Sequence, residues 1–283
     1  MTDFLEGELS PAECNVDTAK FRVIPVPLER TVSYGSGTKG GPEAILNAST
    51  ELERLHRGAE PCAAGIYTEA AVDCDGPLPE VMERIAARTA AAVASGAVPV
   101  TLGGEHGLSY GAVRGVVEGL GRPVGIIQID AHADLRKAYQ GERHSHASVM
   151  QLLAEEDEIK IAQYGARAMC QEEVDRRVAC GVIAIDAEEL VTGNISEVTL
   201  PDDFPQDVYV SFDVDGLDPS ILPATGTPVP GGLGYYQALS IARSACNGRN
   251  LVGLDVVELA PVVGSEVSDF TTAQIVYALM AMA

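Results

Sequence analysis

Aspartate and histidine alternate along one short segment in a spacing that suits metal binding. In IQIDAHADL, residues 127–135, Asp130, His132 and Asp134 stand at every second position directly after an apolar run. Side chains two residues apart on an extended chain project to the same side. Carboxylate oxygen and imidazole nitrogen together suit a divalent cation such as Mn²⁺. The segment therefore predicts a metal site where a strand ends, although a solvated acidic turn would show the same pattern.

A second segment, YVSFDVDGLDPS, repeats the pattern with Asp213 and Asp215 after another apolar run. A calcium loop of the EF-hand type is the competing interpretation. That loop needs acidic residues at positions 1, 3 and 5, glycine at 6 and glutamate at 12. Counted from Asp213, the last three of these positions hold Leu217, Asp218 and Ala224. The calcium loop is excluded, and both aspartates are candidate metal ligands.

The third segment, LGGEHG, presents Glu105 and His106 after a pair of glycines that allow a tight turn. A single histidine after a strand is more often structural than a ligand. Together, however, the three segments supply two histidines and four aspartates, enough for two ions with shared carboxylates. Two divalent ions about 3.5–4 Å apart can activate water for hydrolysis at neutral pH. The three segments therefore favour a binuclear hydrolytic site.

Two further segments carry groups that suit proton transfer and cation binding. His144 and His146 lie in the polar stretch RHSHAS, and an imidazole there could ligate, shuttle protons or do neither. Glu258 follows the apolar run of LDVVELAP. A carboxylate can accept paired hydrogen bonds from a guanidinium group, although a glutamate at a strand end is by itself unspecific.

The elements that must position these residues follow from the hydrophobic pattern. Near-continuous apolar runs alternating with helical stretches predict a parallel sheet with helices on both faces. We predict strands at 22–26, 97–102, 124–129, 181–185, 207–212 and 251–257, with weaker candidates at 62–67 and 159–164. Helices are predicted at 42–53, 79–95, 108–119, 147–156, 170–178, 235–246 and 268–282, the last with an N-terminal signature at Ser268. No linker or repeat interrupts the pattern, so we expect a single domain over residues 1–283.

Charge and composition restrict the partners. With 19 basic and 41 acidic side chains the net charge is −22, which argues against nucleic acid as a partner. The same charge suits a small cationic substrate, or reflects a salty habitat. The sequence has neither a membrane-spanning apolar run nor a signal-peptide pattern, so we expect no membrane partner. The six cysteines lack a CxxC pair and are typical of reduced thiols in a cytoplasmic protein.

Taken in order, GGEH, DAHADL, SHAS, SFDVDGLDP and DVVELAP resemble the ureohydrolase family of arginases, agmatinases and formiminoglutamases. The resemblance runs from about residue 22 to the C-terminus and is closest to the agmatinase branch. It implies a three-layer α/β/α fold around a mainly parallel eight-stranded sheet. It also implies a homotrimer or homohexamer with two Mn²⁺ ions, Ni²⁺ being an alternative metal.

The resemblance assigns six metal ligands: His106, Asp130, His132, Asp134, Asp213 and Asp215. The first ion would be bound by His106 and Asp134 and the second by His132 and Asp215. Asp130 and Asp213 would bridge the two ions. None of these positions departs from the family pattern.

The resemblance also assigns a proton shuttle to His146 and the substrate guanidinium to Glu258. Two departures are visible nearby. The GGDHS of arginases is GGEHG in this chain, and the HGT of agmatinases is His146-Ala147-Ser148. The first changes the polar neighbours of the histidine, and the second changes how the substrate tail would be held.

The implied reaction is hydrolysis of a linear amidine C–N bond, releasing urea and an amine, with agmatine to putrescine as the first choice. Other candidate substrates are guanidinobutyrate, guanidinopropionate, guanidine and formiminoglutamate. A catalytically silent relative and a deacetylase of the single-zinc type are further alternatives. Arg136, Lys137 and Arg143 could bind a substrate carboxylate, be solvated, or pair with Glu142.

Overall fold

Eight parallel strands form the centre of the chain. The computed structural model describes residues 2–283. Its strands are β1 Phe21–Val26, β2 Ile66–Thr68, β3 Val98–Gly103, β4 Val124–Ile129, β5 Ile159–Tyr164, β6 Ile183–Ile185, β7 Asp207–Asp213 and β8 Asn250–Val257. Their spatial order is β2-β1-β3-β8-β7-β4-β5-β6, and each pairing between described strands is parallel. The predicted eight-stranded sheet is confirmed.

Helices cover both faces of the sheet. They are α1 Gly41–Ser49, α2 Leu78–Ala94, α3 Ser109–Leu120, α4 Val149–Leu153, α5 Gln171–Ala179, α6 Ala187–Thr192, α7 Tyr235–Cys246 and α8 Val267–Met280. Apolar side chains of α1, α6, α7 and α8 pack in one core cluster, and those of α2, α3 and α4 pack in another. The adjacent Ile126 and Ile127 of β4 belong to opposite clusters, because successive strand side chains face opposite ways. The result is the predicted three-layer arrangement.

Several element boundaries differ from the prediction. The strand expected at 62–67 begins only at Ile66, because Pro61 opens a 3₁₀ turn over Pro61–Ala64. Proline lacks the N–H that a strand ladder needs and suits the first position of a turn. The helix expected at 147–156 is reduced to α4, which follows a separate 3₁₀ turn over His146–Ser148.

The N-terminus of α8 was also predicted wrongly. Glu266 precedes the helix, and Ser268 is buried within its first turn. The Ser268 carbonyl accepts a hydrogen bond from the Thr272 hydroxyl one turn later. Helix α6 was not predicted at all, because six residues are too few to show a helical period.

The central strands place the chemically interesting segments side by side. β3, β8, β7 and β4 are neighbours in the middle of the sheet, and their carboxyl ends lead into the segments around His106, Glu258, Asp213 and Asp130 respectively. Open α/β sheets bind ligands at this edge. Within residues 2–283, no helix is both long and apolar enough to span a membrane.

Candidate metal centre

The first predicted ligand group converges on the imidazole of His106, which directly follows β3. The His106 Nδ1 atom lies 3.1 Å from Asp130 Oδ2, 3.0 Å from Asp134 Oδ2 and 3.4 Å from Asp213 Oδ2. All four side chains are at most 7% exposed. The ends of β3, β4 and β7 therefore bring these four predicted residues together in a buried cluster.

The second group lies around His132. Its Nδ1 atom is 3.1 Å from Asp215 Oδ2 and 3.6 Å from Asp130 Oδ1. Asp130 thus turns one carboxylate oxygen towards each histidine. The His132 side chain is 26% exposed, so this group faces the opening of the site.

The donor set fits divalent metal ions. His106, Asp130 and Asp134 can bring one ligand atom each within 4.8 Å of one another, and so can Asp130, His132 and Asp215. The buried His106 Nδ1 has no hydrogen-bond partner among the described residues, despite three carboxylates close by. An unpaired buried nitrogen facing carboxylate oxygens is what a metal ligand requires, and the mixed oxygen–nitrogen set suits Mn²⁺.

The pKa values of the cluster indicate that its carboxylates repel one another when no cation is bound. Burial and the neighbouring Asp130 charge raise the pKa of Asp134 to about 7. Burial and the charges of Asp215 and Asp130 hold the pKa of Asp213 well above its usual range. Burial lowers the pKa of His132, but hydrogen bonds with Asp130 and Asp215 outweigh it and raise the value to about 12. Without a metal, these groups hold protons to limit carboxylate repulsion.

A hydrogen-bonded chain beneath the site orients His106. Its Nε2 lies 2.8 Å from Ser211 Oγ, and the Ser211 hydroxyl donates to Asp255 Oδ1 at 2.8 Å. Tyr209 donates to the other oxygen of Asp255 at 2.9 Å. The Ser211 hydroxyl has a single proton and donates it to the Asp255 carboxylate. The Ser211 oxygen therefore accepts a hydrogen bond from His106 Nε2–H. The neutral form of His106, which is the form that can bind a metal ion, therefore has its lone pair on Nδ1, towards the aspartates. In the metal-free chain burial lowers the pKa of His106, but the carboxylates of Asp130, Asp134 and Asp213 outweigh burial and raise it well above its usual value.

His146 is held by a different pair of residues. Glu105 is buried, and its carboxylate accepts hydrogen bonds from the backbone N–H groups of Arg30 and Thr31, each at 2.6 Å, and from the Thr31 hydroxyl at 3.0 Å. The Thr31 oxygen in turn lies 3.1 Å from both the backbone N and Nδ1 of His146. Because the Thr31 proton goes to Glu105, His146 carries its proton on Nδ1 and leaves Nε2 available.

In this chain Glu105 stands where the GGDHS motif of arginases has aspartate, and its contacts explain this difference from the family pattern. Its carboxylate reaches across to residues 30–31 rather than to the ring of His106.

Burial, followed by repulsion from His106 and His132, lowers the pKa of His146 to about 4. His146 is thus a neutral imidazole at physiological pH, able to accept a proton.

Glu258 lies beside the cluster in a strained conformation. Its φ is +65°, and Asp134 has a φ of +53°, both in the left-handed region that non-glycine residues rarely adopt. Such strain concentrates at functional sites. Glu258 Oε1 accepts the backbone N–H of His106 at 2.7 Å, and burial raises the pKa of Glu258 to about 8.

A cavity of about 410 Å³ opens above these residues. Its lining includes five of the six predicted ligands, together with His146 and Glu258, and Asp130 lies just beneath it. The outer wall is formed by the loop of Val32 and Tyr34 and by Tyr139 and Met169. The cavity is therefore a pocket with a floor of candidate metal ligands and a partly apolar wall.

Of the three cations predicted near the site, only Arg136 is among the described cavity-lining residues. Its Nε lies 3.7 Å from Glu173 Oε2. Arg143 pairs with Glu155 rather than with Glu142, so that suggested pairing was wrong. This ion pair is exposed, and Arg143 is not among the described residues that line the cavity.

Arg167 was missed by the sequence analysis. Its guanidinium donates to the backbone carbonyls of residues 165, 215, 216, 217 and 229. It thereby ties the Asp215 segment to the neighbouring loops. An isolated arginine outside any motif carries no sequence signal for this role.

An open parallel sheet with paired histidine–aspartate groups at its carboxyl edge is the arrangement expected of an α/β/α metallohydrolase. The model of the arginase family matches residues 19–282, and the chain belongs to this family. The family is binuclear and metal-dependent, in keeping with the two groups around Asp130. The predicted family and enzyme class, a hydrolase acting on guanidino C–N bonds, are confirmed.

Individual relatives support the same conclusion. The chain is 38% identical to the N(1)-aminopropylagmatine ureohydrolase of Synechocystis, covering 98% of this chain and 92% of that protein. It is 30% identical to the agmatinase of Pyrococcus horikoshii, covering 95% and 93% respectively. The crystal structure of the agmatine ureohydrolase of Thermoplasma volcanium matches with a TM-score of 0.82 and 27% identity, over 100% of this chain and 94% of that one. The predicted fold is confirmed over the whole described chain.

Proposed function

We propose that this ureohydrolase acts on a guanidino compound with an amine tail, and that agmatine, giving putrescine and urea, is its first candidate substrate. The observation that carries the proposal is the convergence of His106 and His132 on the shared Asp130 beneath the cavity. The net charge of −22 favours approach of a cationic substrate.

A second candidate substrate is N(1)-aminopropylagmatine. The Synechocystis relative named for that compound shares 38% of its residues with this chain, against 30% for the P. horikoshii agmatinase. Both compounds present the same guanidinium to the floor of the cavity. They differ only in the length and number of amines in the tail that reaches its outer wall.

We further propose the metal assignment. His106 and Asp134 would hold one ion and His132 and Asp215 the other. Asp130 would be shared, as would Asp213 according to the family pattern. Mn²⁺ is the first choice and Ni²⁺ the alternative. When bound, the two ions supply charge stabilisation and activation of water at neutral pH.

The chain's own residues bind the substrate and transfer the proton. Glu258 offers a buried carboxylate to the guanidinium, with Oε1 already fixed by the His106 N–H. Water adds to the guanidinium carbon, and the bond from that carbon to the tail nitrogen breaks. His146 Nε2, the nitrogen that Thr31 leaves available, accepts the proton that the water loses as it adds and passes this proton to the leaving amine.

Three broader predictions belong to the same proposal. The chain is expected to assemble as a homotrimer or homohexamer, to act in the cytoplasm, and to form one domain over residues 1–283. Size measurement by light scattering and limited proteolysis of the native protein test the first and last of these.

Urea release from a panel of guanidino compounds tests the proposed function. The chain is loaded with Mn²⁺, and in parallel with Ni²⁺, and kcat/KM is measured from urea release for agmatine, N(1)-aminopropylagmatine, guanidinobutyrate, guanidinopropionate and guanidine. For formiminoglutamate, which has a formimino group in place of a guanidino group, the product counted is formamide. We expect the amine-tailed pair to exceed the acids by at least about tenfold, since the acids would have to approach an acidic protein. Preference for an acid, or absence of hydrolysis with every compound, would overturn the proposal.

A further inference from the structure

Two glutamines are buried inside the central strands, next to the candidate metal centre. Gln128 of β4 and Gln163 of β5 are directly paired across the two strands and at most 1% exposed. They follow Ile126 and Ile161 by two positions and so share the sheet face that packs against α2, α3 and α4. Buried amides need hydrogen-bond partners, so what they bind matters.

The glutamines form a chain of hydrogen bonds that starts at Arg177 of α5. Arg177 Nε donates to Gln163 Oε1 at 2.8 Å, and Gln163 Nε2 donates to Gln128 Oε1 at 2.6 Å and to the Ala133 carbonyl at 2.7 Å. Gln128 Nε2 then donates to Asp130 Oδ2 at 2.6 Å. Since a guanidinium only donates and a carboxylate only accepts, each amide can point only one way. The chain therefore delivers an N–H to Asp130.

This N–H completes the fixed surroundings of Asp130. The backbone N–H of His132 donates to Asp130 Oδ1 at 2.7 Å, while Gln128 occupies one side of Oδ2. Each oxygen keeps a second acceptor position, Oδ2 towards His106 Nδ1 and Oδ1 towards His132 Nδ1. The plane of the carboxylate is thus set before any ion binds.

We propose that Gln128, oriented by Gln163 and Arg177, is a positioning residue that sets the affinity of the site for both metal ions through Asp130. The inference rests on the proposed function in one respect, namely that Asp130 is the shared ligand. Loss of a group that orients a metal ligand typically weakens metal binding by about 10–100-fold. A merely structural role would change the stability of the metal-free chain and leave its metal affinity unaltered.

The experiment measures metal retention of the full chain. The protein is loaded with Mn²⁺ and dialysed against graded concentrations of chelator, and bound Mn²⁺ is counted by atomic absorption. We expect Gln128→Leu to weaken Mn²⁺ binding by about 10–100-fold, at both sites. In Gln163→Glu, the glutamate still accepts from Arg177 but has no N–H for Gln128, so its affinity should fall in the same direction. The melting temperature of each metal-free variant reports its stability separately.

Arg177 supplies a variant remote from the ions. Arg177→Met removes the donor to Gln163 Oε1, so that only the Ala133 carbonyl and Gln128 still orient the Gln163 amide, whereas Arg177→Lys retains a donor. Affinity should therefore fall in the first, by less than in Gln128→Leu, and recover in the second. The matched control is Arg22→Met. Arg22 is also a largely buried arginine in an ion pair, with Glu69 at 3.2 Å, but it belongs to β1 and contacts no candidate ligand. Its Mn²⁺ affinity should equal that of the unaltered chain.

The outcomes distinguish failure of the metal assignment from failure of the positioning role of Gln128. If the unaltered chain retains no Mn²⁺, the metal assignment fails. If it retains two ions and folded Gln128→Leu and Gln163→Glu bind them within about twofold of its affinity, the positioning role of Gln128 is wrong. Should Gln128→Leu not fold, the pair Arg177→Met and Arg177→Lys decides, and equal affinities in those two variants would also overturn the proposal.

Discussion

The floor and the rim of the cavity are built in opposite ways. On the floor, His106, Asp130 and Asp213 are at most 3% exposed and are held by strand ends and hydrogen bonds. The rim is the outer wall of the cavity, to which Val32, Tyr34, Tyr139 and Met169 contribute. Tyr34 lies on a loop there and is 87% exposed. We therefore expect the residues at the strand ends to carry out the chemistry and the loops to select the substrate tail, and the predictions below test this division.

The backbone of the rim is held by a hydrogen bond between two loops, although side chains of the rim are exposed. Gly35 donates its backbone N–H to the Gly226 carbonyl at 3.1 Å, joining the two loops at the cavity mouth. A Cβ at Gly35 would come within 2.8 Å of Gly226 Cα, so a larger residue would force the loops apart. Side chains such as Tyr34 can therefore change without disturbing the floor.

The largest effect is expected from the shared floor residue. Asp130→Asn replaces one ligating oxygen by an NH₂ group and removes a charge between the two histidines. We expect Mn²⁺ affinity and urea release to fall together, by more than the roughly 100-fold typical of losing an orienting neighbour. The matched control is Asp203→Asn, an exposed aspartate that pairs only with Lys160. Full metal content with a near-normal rate in Asp130→Asn would contradict the shared role.

His146→Asn should affect the rate and leave the metals in place. His146 lines the cavity without belonging to either ligand group, so we expect kcat to fall by roughly 10²–10⁴-fold at unchanged Mn²⁺ content. His144→Asn is the control from the same loop, because His144 packs against Tyr110 with ring centres 5.7 Å apart. Loss of Mn²⁺ in His146→Asn would instead make this histidine a ligand.

Metal affinity should rise with pH. In the metal-free chain His132 holds a proton at any pH below about 12, and Asp134 holds one below about 7. An ion must displace these protons, so affinity should increase with pH, and more steeply below about pH 7, where Asp134 must also lose its proton, than above it. Mn²⁺ titrations between about pH 6 and pH 9, with released protons counted by an indicator dye, check both slopes. A pH-independent affinity would show that the ligands are already deprotonated.

The floor could be predicted from the sequence because its signals are local. Asp130, His132 and Asp134 follow an apolar run at a period of two, and Asp213 and Asp215 do the same. Since parallel strands end at a common edge, local patterns were enough to indicate that these residues meet. The prediction that these residues lie at one edge of the sheet does not require the order of the strands within it.

The supporting residues could not be predicted because their contacts are distant in the chain. Thr31 meets His146 across 115 positions, and His106 meets Ser211 across 105. No spacing rule connects such pairs. The one available signal was a polar residue inside an apolar run, which Ser211 and Gln128 both show, and it indicates burial without naming the partner.

The smallest effect, and the sharpest test of the difference between floor and rim, is expected from Tyr34→Ala. An exposed aromatic ring attracts a passing ammonium group by about 0.5–1 kcal/mol, which corresponds to a KM increase of about two- to fivefold when the ring is removed. Because the longer N(1)-aminopropylagmatine tail carries more charge towards the rim, its KM should rise more than that of agmatine. Tyr236→Ala is the matched control, since Tyr236 is 79% exposed on α7 but does not line the cavity in the described chain. With kcat and Mn²⁺ content unchanged, a tail-dependent KM assigns specificity to the rim. A fall in kcat with both substrates would show that the rim also positions the reacting carbon, and the division between floor and rim would then be wrong.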